Sequence, residues 1–317
     1  MPETASAGWG LVFLSGLRRP TVRVGSGRVG RMDDSKQKYP DLVEQGRSEQ
    51  QELVRVETSG PRATVTLDDP DRLNALGTAL MVQLVEALKG LAADPAIGTV
   101  VLTGRDPAFS AGGDLEMIAD GSRAIRDQTK DADTSDSWRW IRQQFGGVVR
   151  TIVGSEKLFI AAINGPAAGV GLAFAFACDI LIMSERALLV PAFGRLGLVP
   201  EVGTSWFLTR RLGYQASMAQ YLSGRPVDAD EALRSGLVQE VHPHDELLEA
   251  ADRWCDRAER LPAHALAMTK SVLRESSDAS WHQALSIEEF AEANCFSTET
   301  LSRSAEALRK SADQSES

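Results

Sequence analysis

Cysteine is scarce in this chain: Cys178, Cys255 and Cys295 stand far apart, and no Cys-x-x-Cys pair occurs. A disulfide framework or a cysteine-built metal knot is thereby excluded, and a reducing compartment, the cytoplasm, is the expectation. Histidine is nearly as rare, with His242, His244, His264 and His282 all late in the chain. His242-Pro243-His244 has the outline of a metal pair, but no cysteine or second pair stands beside it, so a solvated loop is the expected reading and no metal site is assigned. Positive charge is in deficit, the net charge being −10. Nucleic acid and anionic membrane surfaces therefore have little electrostatic support as partners. Long uninterrupted apolar runs are missing too. The most apolar stretch, Leu158 to Met183, is broken at Asn164-Gly165-Pro166 and carries Asp179, so it falls short of the ~20 apolar residues of a membrane span.

What is present is enough for a substantial core, as one large domain or two smaller ones. Residues 1–50 differ from the rest: Arg23, Arg28 and Arg31 lie among Gly, Ser and Val without an acid between Pro20 and Met32. An organellar transit segment shares that composition, and the run from Gly10 to Gly16 is too short and wrongly flanked for a signal peptide. A disordered extension, or a start of translation at Met32, is the expectation, with Asp33 to Gln51 a flexible approach to the fold.

From Leu53 onward strands and helices alternate. Val54–Glu57 and Ala63–Leu67 read as paired strands around Ser59-Gly60-Pro61, and Leu80, Leu84, Leu88 and Leu91 mark one face of a helix that ends at Asp94-Pro95. A buried strand over 98–102 leads into the glycine-bearing loop 103–113. Residues 120–137 are charged and predict a mobile loop with some helix, and a further helix covers 138–153. Within Leu158–Met183 the pattern is buried strand, turn, then a buried helix beginning near Gly169-Val170-Gly171. A helix start of this kind offers unpaired N–H groups and partial positive charge, which suit a developing oxyanion; a structural core helix has the same pattern. Short strands at 187–190 and 237–241, helices over 205–212, 215–222 and 228–235, and a helical tail from Asp245 broken at Pro262 complete an α/β core with a helical C-terminal part.

Five segments in this order resemble the enoyl-CoA hydratase/isomerase, or crotonase, superfamily: ATVTLDDPDRLNAL (63–76), VVLTGRDPAFSAGGDL (100–115), INGPAAGVGLAFAFACD (163–179), GLVPEVGTSWFLTRRLG (197–213) and SGRPVDADEALRSGLV (223–238). The resemblance implies an α/β fold, a crotonase-like spiral of ββα units with a C-terminal α-helical trimerisation region, divided as a core over 51–260 and a helical region over 261–317. It also implies an acyl-CoA thioester as ligand, no cofactor beyond the coenzyme A of the substrate, and a homotrimer or dimer of trimers.

The chemistry the resemblance implies is a thioester enolate whose oxygen is held by two backbone N–H groups, each worth about 10²–10³ in rate. By the family pattern the donors are Ala111, in Ser110-Ala111-Gly112-Gly113-Asp114, and Val170, between Gly169 and Gly171. Asp114 is expected to cap the following helix rather than carry protons. Arg72, Leu73 and Ala75 occupy the loop that meets the nucleotide in relatives, and Lys270 matches a C-terminal helix that often approaches CoA; an exposed, solvating charge is the competing reading of each cation. Gly112, Gly113 and Gly169 shape the turns around the ligand.

Departures from the pattern are as informative as the matches. Hydratases of the family use two glutamates, and the corresponding positions here hold Ala173 and Phe193, neither of which can accept a proton. One carboxylate remains, Glu201 in Val199-Pro200-Glu201-Val202-Gly203, where double-bond isomerases of the family carry a lone acid and a dehalogenase branch a nucleophilic aspartate. Val199, Val202, Trp206 and Phe193 offer an apolar setting that raises its pKa. The resemblance thus points to a Δ3,Δ2-enoyl-CoA isomerase, with a hydratase, an enzyme forming a covalent ester on Glu201, or a non-catalytic acyl-CoA-binding scaffold as alternatives.

Overall fold

The computed structural model describes residues 38–126, 134–299, 301–302 and 306. Among them, the first element is helix α1 (Tyr39–Ser48), followed by strands β1 (Val54–Ser59) and β2 (Arg62–Leu67). The two strands form an antiparallel hairpin, Val54 opposite Leu67 and Ser59 opposite Arg62, turning through Gly60 at φ 58°. In β2 the side chains of Ala63, Val65 and Leu67 are buried while Arg62, Thr64 and Thr66 are half-buried, the period-2 signature of a strand packed more deeply on one face.

Helix α2 (Thr78–Ala93) buries Leu80, Leu84, Leu88 and Leu91 as their spacing predicts, and also Met81, Val82 and Val85. The second buried face is covered by α1. A Cβ on Gly46 would lie 2.6 Å from Val82 Cγ2, so glycine lets the two helices approach closely. Arg47 pairs with Glu86 at 2.8 Å, and the Tyr39 hydroxyl accepts from Gln144 at 3.1 Å. The flexible approach expected through Gln51 is therefore corrected: 39–48 is a helix docked on the core, because α2 has apolar surface on two sides. The readings made for residues 1–37 lie outside the described residues.

Strand β3 (Thr99–Gly104) is buried throughout. Helix α3 (Leu115–Arg126) occupies the first part of the region read as a mobile loop, and 127–133 lie outside the described residues. Helix α4 (Thr134–Trp140), a π turn (Ile141–Phe145) and helix α5 (Gly146–Gly154) then run on to strand β4 (Leu158–Ile163). Strand β5 (Ala167–Ala168), helix α6 (Val170–Ala177), strand β6 (Ile180–Ser184) and strand β7 (Leu188–Val190) follow. Next come helices α7 (Thr204–Leu212) and α8 (Tyr214–Ser223), strand β8 (Val227–Asp228), helix α9 (Ala229–Arg234) and strand β9 (Glu240–His242). Three helices close the described chain: α10 (Leu247–Glu259), α11 (Ala263–Ser276) and α12 (Trp281–Phe296). The last strand begins later than the pattern suggests. Leu237 and Val238 are held in a turn, both N–H groups donating to Ala232 O, and only Gln239 reaches the sheet, donating to Leu181 O.

The main sheet has the order β1-β2-β3-β4-β6-β9, parallel except for the first pair, and β5-β7-β8 form a second, smaller sheet. Parallel strands joined by helices are buried on both faces. On one side α2, α5 and α6 supply the larger core; on the other Val101, Ile160, Ala162 and Ile182 meet Leu247, Ala250, Ala251 and Cys255 of α10 and its start. No helix among the described residues is long and apolar enough to cross a membrane.

Candidate active site

Two loops are stitched together at the end of β4. Ser110 N donates to Pro166 O at 3.1 Å and Ser110 O accepts from Ala168 N at 2.9 Å. The approach is so close that a Cβ on Gly112 would fall 2.6 Å from Ala168 O, and one on Gly171 2.7 Å from Ser110 Cβ. Glycine at both positions is therefore a packing requirement, and Gly112 in addition adopts φ 87°. The loop over 104–113 is held by two buried asparagines. Asn74, itself at φ 55°, donates to Arg105 O at 2.8 Å and Ala108 O at 2.7 Å while its oxygen accepts from Asp69 N at 2.9 Å. Asn164 accepts from Gly104 N at 3.1 Å and donates to Asp106 at 2.9 Å. Sequence reasoning missed both asparagines as site-forming residues. Asn164 carried a signal, an amide directly after an apolar strand and before Gly165-Pro166, whereas Asn74 lies in a charged loop that offers none.

Helix α6 begins at Val170 with Gly169 as its cap, at φ 51° and ψ −122°. Among the described residues the N–H of Val170 makes no hydrogen bond, as first-turn amides have no partner inside the helix. The facing loop differs from the expectation. The N–H of Ala111 donates to Leu73 O at 2.8 Å and that of Gly112 to Ser110 Oγ at 3.1 Å. Ala111 is thereby corrected as the free donor of this loop, and among the described residues the N–H without a partner is that of Gly113. The motif identifies the loop, whereas the tertiary hydrogen bonds decide which peptide plane faces outward.

Glu201 lies on the loop between β7 and α7. That loop departs from beside the start of α6, since Val190 O accepts from Gly169 N at 3.2 Å and β7 pairs with β5. Helices α6 and α7 also meet at their last turns, where the Arg211 guanidinium donates to Phe176 O at 3.3 Å. The Glu201 side chain is half-buried and makes no hydrogen bond or ion pair among the described residues; burial pushes its carboxyl above the ordinary glutamate range. Val202 beside it holds φ 55°, a costly conformation for a β-branched residue and one that tends to persist at functional sites. Phe193 and Ala173 are buried, at 3% and 0% exposure. Val199 is 71% exposed, so it does not contribute to the apolar setting expected of it. Trp206 is engaged elsewhere, its Nε1 donating to Asp278 at 3.3 Å under the Arg210 guanidinium.

The residues expected at the nucleotide divide into two groups. Arg72 pairs with Asp114, whose other oxygen accepts from Glu116 N at 2.8 Å and Met117 N at 3.1 Å and so caps α3. Leu73 and Ala75 are half-buried in the same loop. Lys270 is not brought to this place. Its ammonium is buried, donating to Ile152 O at 2.8 Å and Lys157 O at 2.7 Å and pairing with Asp179 at 2.9 Å. The expectation for Lys270 is corrected, because all three donors of the ammonium are engaged inside the fold. With Arg274, which bonds Ala177 O at 2.8 Å and Asp179 at 2.6 Å, it ties α11 to the C-terminal end of α6. His242 and His244 diverge, the first to Glu240 at 2.8 Å and the second to Asp106 at 2.9 Å. Among the described residues no group of three or more His, Cys, Asp or Glu side chains could hold a metal ion.

The family model described as enoyl-CoA hydratase/isomerase matches residues 58–313. The chain belongs to this family, the crotonase superfamily. It is 35% identical over 248 residues to a "Probable enoyl-CoA hydratase" of Rhizobium meliloti, covering 78% of this chain and 91% of that protein. It is 30% identical over 224 residues to 4-chlorobenzoyl coenzyme A dehalogenase-2 of an Arthrobacter species, covering 71% and 78% respectively. A crystal structure of a probable enoyl-CoA hydratase/isomerase from Mycobacterium abscessus matches with TM-score 0.73 and 28% identity, covering 82% of this crotonase-family chain and 97% of that one. The mixed α/β architecture with a helical C-terminal region is thus the crotonase fold.

Proposed function

We propose that this enzyme moves a carbon–carbon double bond in an acyl-CoA thioester, as a Δ3,Δ2-enoyl-CoA isomerase. The N–H groups of Gly113 and Val170 hold the thioester oxygen as it gains charge, and the positive end of α6 adds to that stabilisation. Glu201 removes a proton at C2 and returns one at C4. The observation that carries the reading is the half-buried Glu201 carboxylate, without a side-chain partner among the described residues, with Ala173 and Phe193 at the two positions where hydratases place glutamates. A group with these properties is suited to proton transfer near neutral pH. The reading requires no metal and no cofactor besides the coenzyme A of the substrate. Arg72 reaches the phosphates while remaining paired to Asp114. A reducing cytoplasmic setting suits the free cysteines.

The test is Glu201→Gln assayed with a 3-enoyl-CoA, alongside hydration of crotonyl-CoA followed by ultraviolet absorbance. Loss of isomerisation in the variant, with no hydration by the parent, supports the assignment; unchanged isomerisation removes Glu201 from the mechanism. A second reading follows from the 30% identity to a dehalogenase: the Glu201 carboxylate attacks a halogen-bearing carbon of the acyl group, the carbon–halogen bond breaks as halide leaves, and the resulting ester is an adduct that mass spectrometry detects before water hydrolyses it. Assembly as a homotrimer or dimer of trimers belongs to the same proposal. It is supported by the exposed Trp281, Phe290 and Phe296 on α12, which has no buried residue in the single chain, and sedimentation measures it.

A further inference from the structure

Beside Val202, the residue after Glu201, the chain leaves an open recess of about 210 Å³ lined by Trp138, Ile141, Arg142, Gly146, Arg150 and Val202. Its walls come from the end of α4, the π turn, the start of α5 and the strained residue that follows the acid. Two of these six residues are arginines, in a chain whose net charge is −10. Among the described residues neither arginine is ion-paired to an acid.

Both guanidinium groups are held in place. Arg142 lies over the Trp138 ring, 5.4 Å from its centroid, and the Arg150 guanidinium donates to Arg142 O. A Cβ on Gly146 would come 2.9 Å from Arg150 Nη1 and 3.4 Å from Nη2, so glycine makes room for that guanidinium along the helix. The π turn ends just there, Gly146 N–H donating to Ile141 O; such turns are frequent at functional sites. Two cations lining one open recess favour an anion between them, and guanidinium groups match a carboxylate in particular.

We propose that the acyl group of the substrate ends in a carboxylate, held by Arg142 and Arg150 in this cavity. The inference rests on the acyl-CoA reading of Glu201 and the amide pair. The recess is open to solvent, so what it offers the far end of an acyl chain is the pair of guanidinium groups rather than a fixed length; a short dicarboxylic acyl chain is the simplest ligand that would meet them. With the thioester oxygen at the amides and the allylic carbons at Glu201, the distal end of the chain enters the recess beside Val202.

Calorimetric binding of glutaryl-CoA, pentanoyl-CoA and free coenzyme A to the full chain tests this without relying on turnover. The expected result is a preference for glutaryl-CoA over pentanoyl-CoA of about tenfold or more, equivalent to ~1.4 kcal/mol. Arg142→Met and Arg150→Met should each reduce that preference and leave pentanoyl-CoA within about twofold of the parent, given that a neutral tail makes no charge-assisted bond. Pentanoyl-CoA bound as well as glutaryl-CoA by the parent overturns the proposal while leaving the acyl-CoA reading intact, and needs no variant to fold. An equal loss for all three ligands in the variants also overturns it, assigning the arginines to the phosphates of coenzyme A. Failure of the parent to bind any of the three removes the acyl-CoA reading and this inference with it.

Discussion

Replacing Gly112 by alanine tests whether the spacing of the two amide-bearing loops controls catalysis. The new Cβ would sit 2.6 Å from Ala168 O, against about 3.3 Å for a close carbon–oxygen contact, so the loops must separate by roughly 0.7 Å. Gly113 immediately follows one colliding residue and Val170 stands two residues beyond the other, so the gap between their N–H groups should widen by a similar amount. Misplacement on the scale of ~1 Å costs about 10²-fold in rate. The backbone adds a second effect, because φ 87° is unfavourable for alanine by about 1–2 kcal/mol. Gly60→Ala separates the two: Gly60 has φ 58° and no atom within 4 Å of the place an added methyl would take, so it carries the backbone penalty without the collision. The expected outcome is kcat/KM lowered about 10²-fold in Gly112→Ala and almost unchanged in Gly60→Ala, with urea unfolding showing losses of about 1–3 kcal/mol. Activity of Gly112→Ala within threefold of the parent, at about the stability of Gly60→Ala, would refute the argument.

Other consequences concern the charges and the asparagine scaffold. Burial raises the Glu201 pKa in the folded state, so its contribution to stability is present below the unfolded value of ~4.3 and is lost as pH rises through the folded value. Glu201→Gln should accordingly melt higher than the parent at pH 7 and not below about pH 4; calorimetry showing no gain at pH 7 would mean that the carboxylate is solvated or paired. Asn74→Ala leaves Asp69 N and two loop carbonyls without their buried partner, a loss of about 3 kcal/mol or more at ~1–3 kcal/mol per group. Urea unfolding within 1 kcal/mol of the parent contradicts that. Burial alone would raise the Asp106 carboxyl, but hydrogen bonds from Asn164 and His244 outweigh it and hold the group below the usual aspartate range. The stability it contributes is present above the unfolded value of ~3.9 and is lost as pH falls through the folded one. His244→Ala should move the Asp106 titration upward, measured by carboxyl-carbon NMR; an unmoved titration means that His244 is not its partner in solution.

The sequence alone determined most of the strand and helix order from Leu53 onward, the buried strand-turn-helix around Leu158–Met183 and the acid at Glu201. These properties are local: a period of 2 or 3.6 residues, a turn at Asn164-Gly165-Pro166, and the absence of a carboxylate at Ala173 and Phe193 can all be read along the chain. Tertiary structure decided everything that depends on who meets whom. The helix over 39–48 is polar by composition and stands only because Gly46 lets it sit on the second apolar face of α2. Lys270 has the pattern of a surface cation, yet Asp179 and two carbonyls distant in sequence receive its ammonium. The donor in the Ser110–Gly113 turn is chosen by Leu73 O, which takes the Ala111 N–H and leaves that of Gly113 without a partner among the described residues. A hydrogen bond between residues 38 positions apart leaves no periodic trace in a sequence, so only the folded chain could reveal which amide remained available.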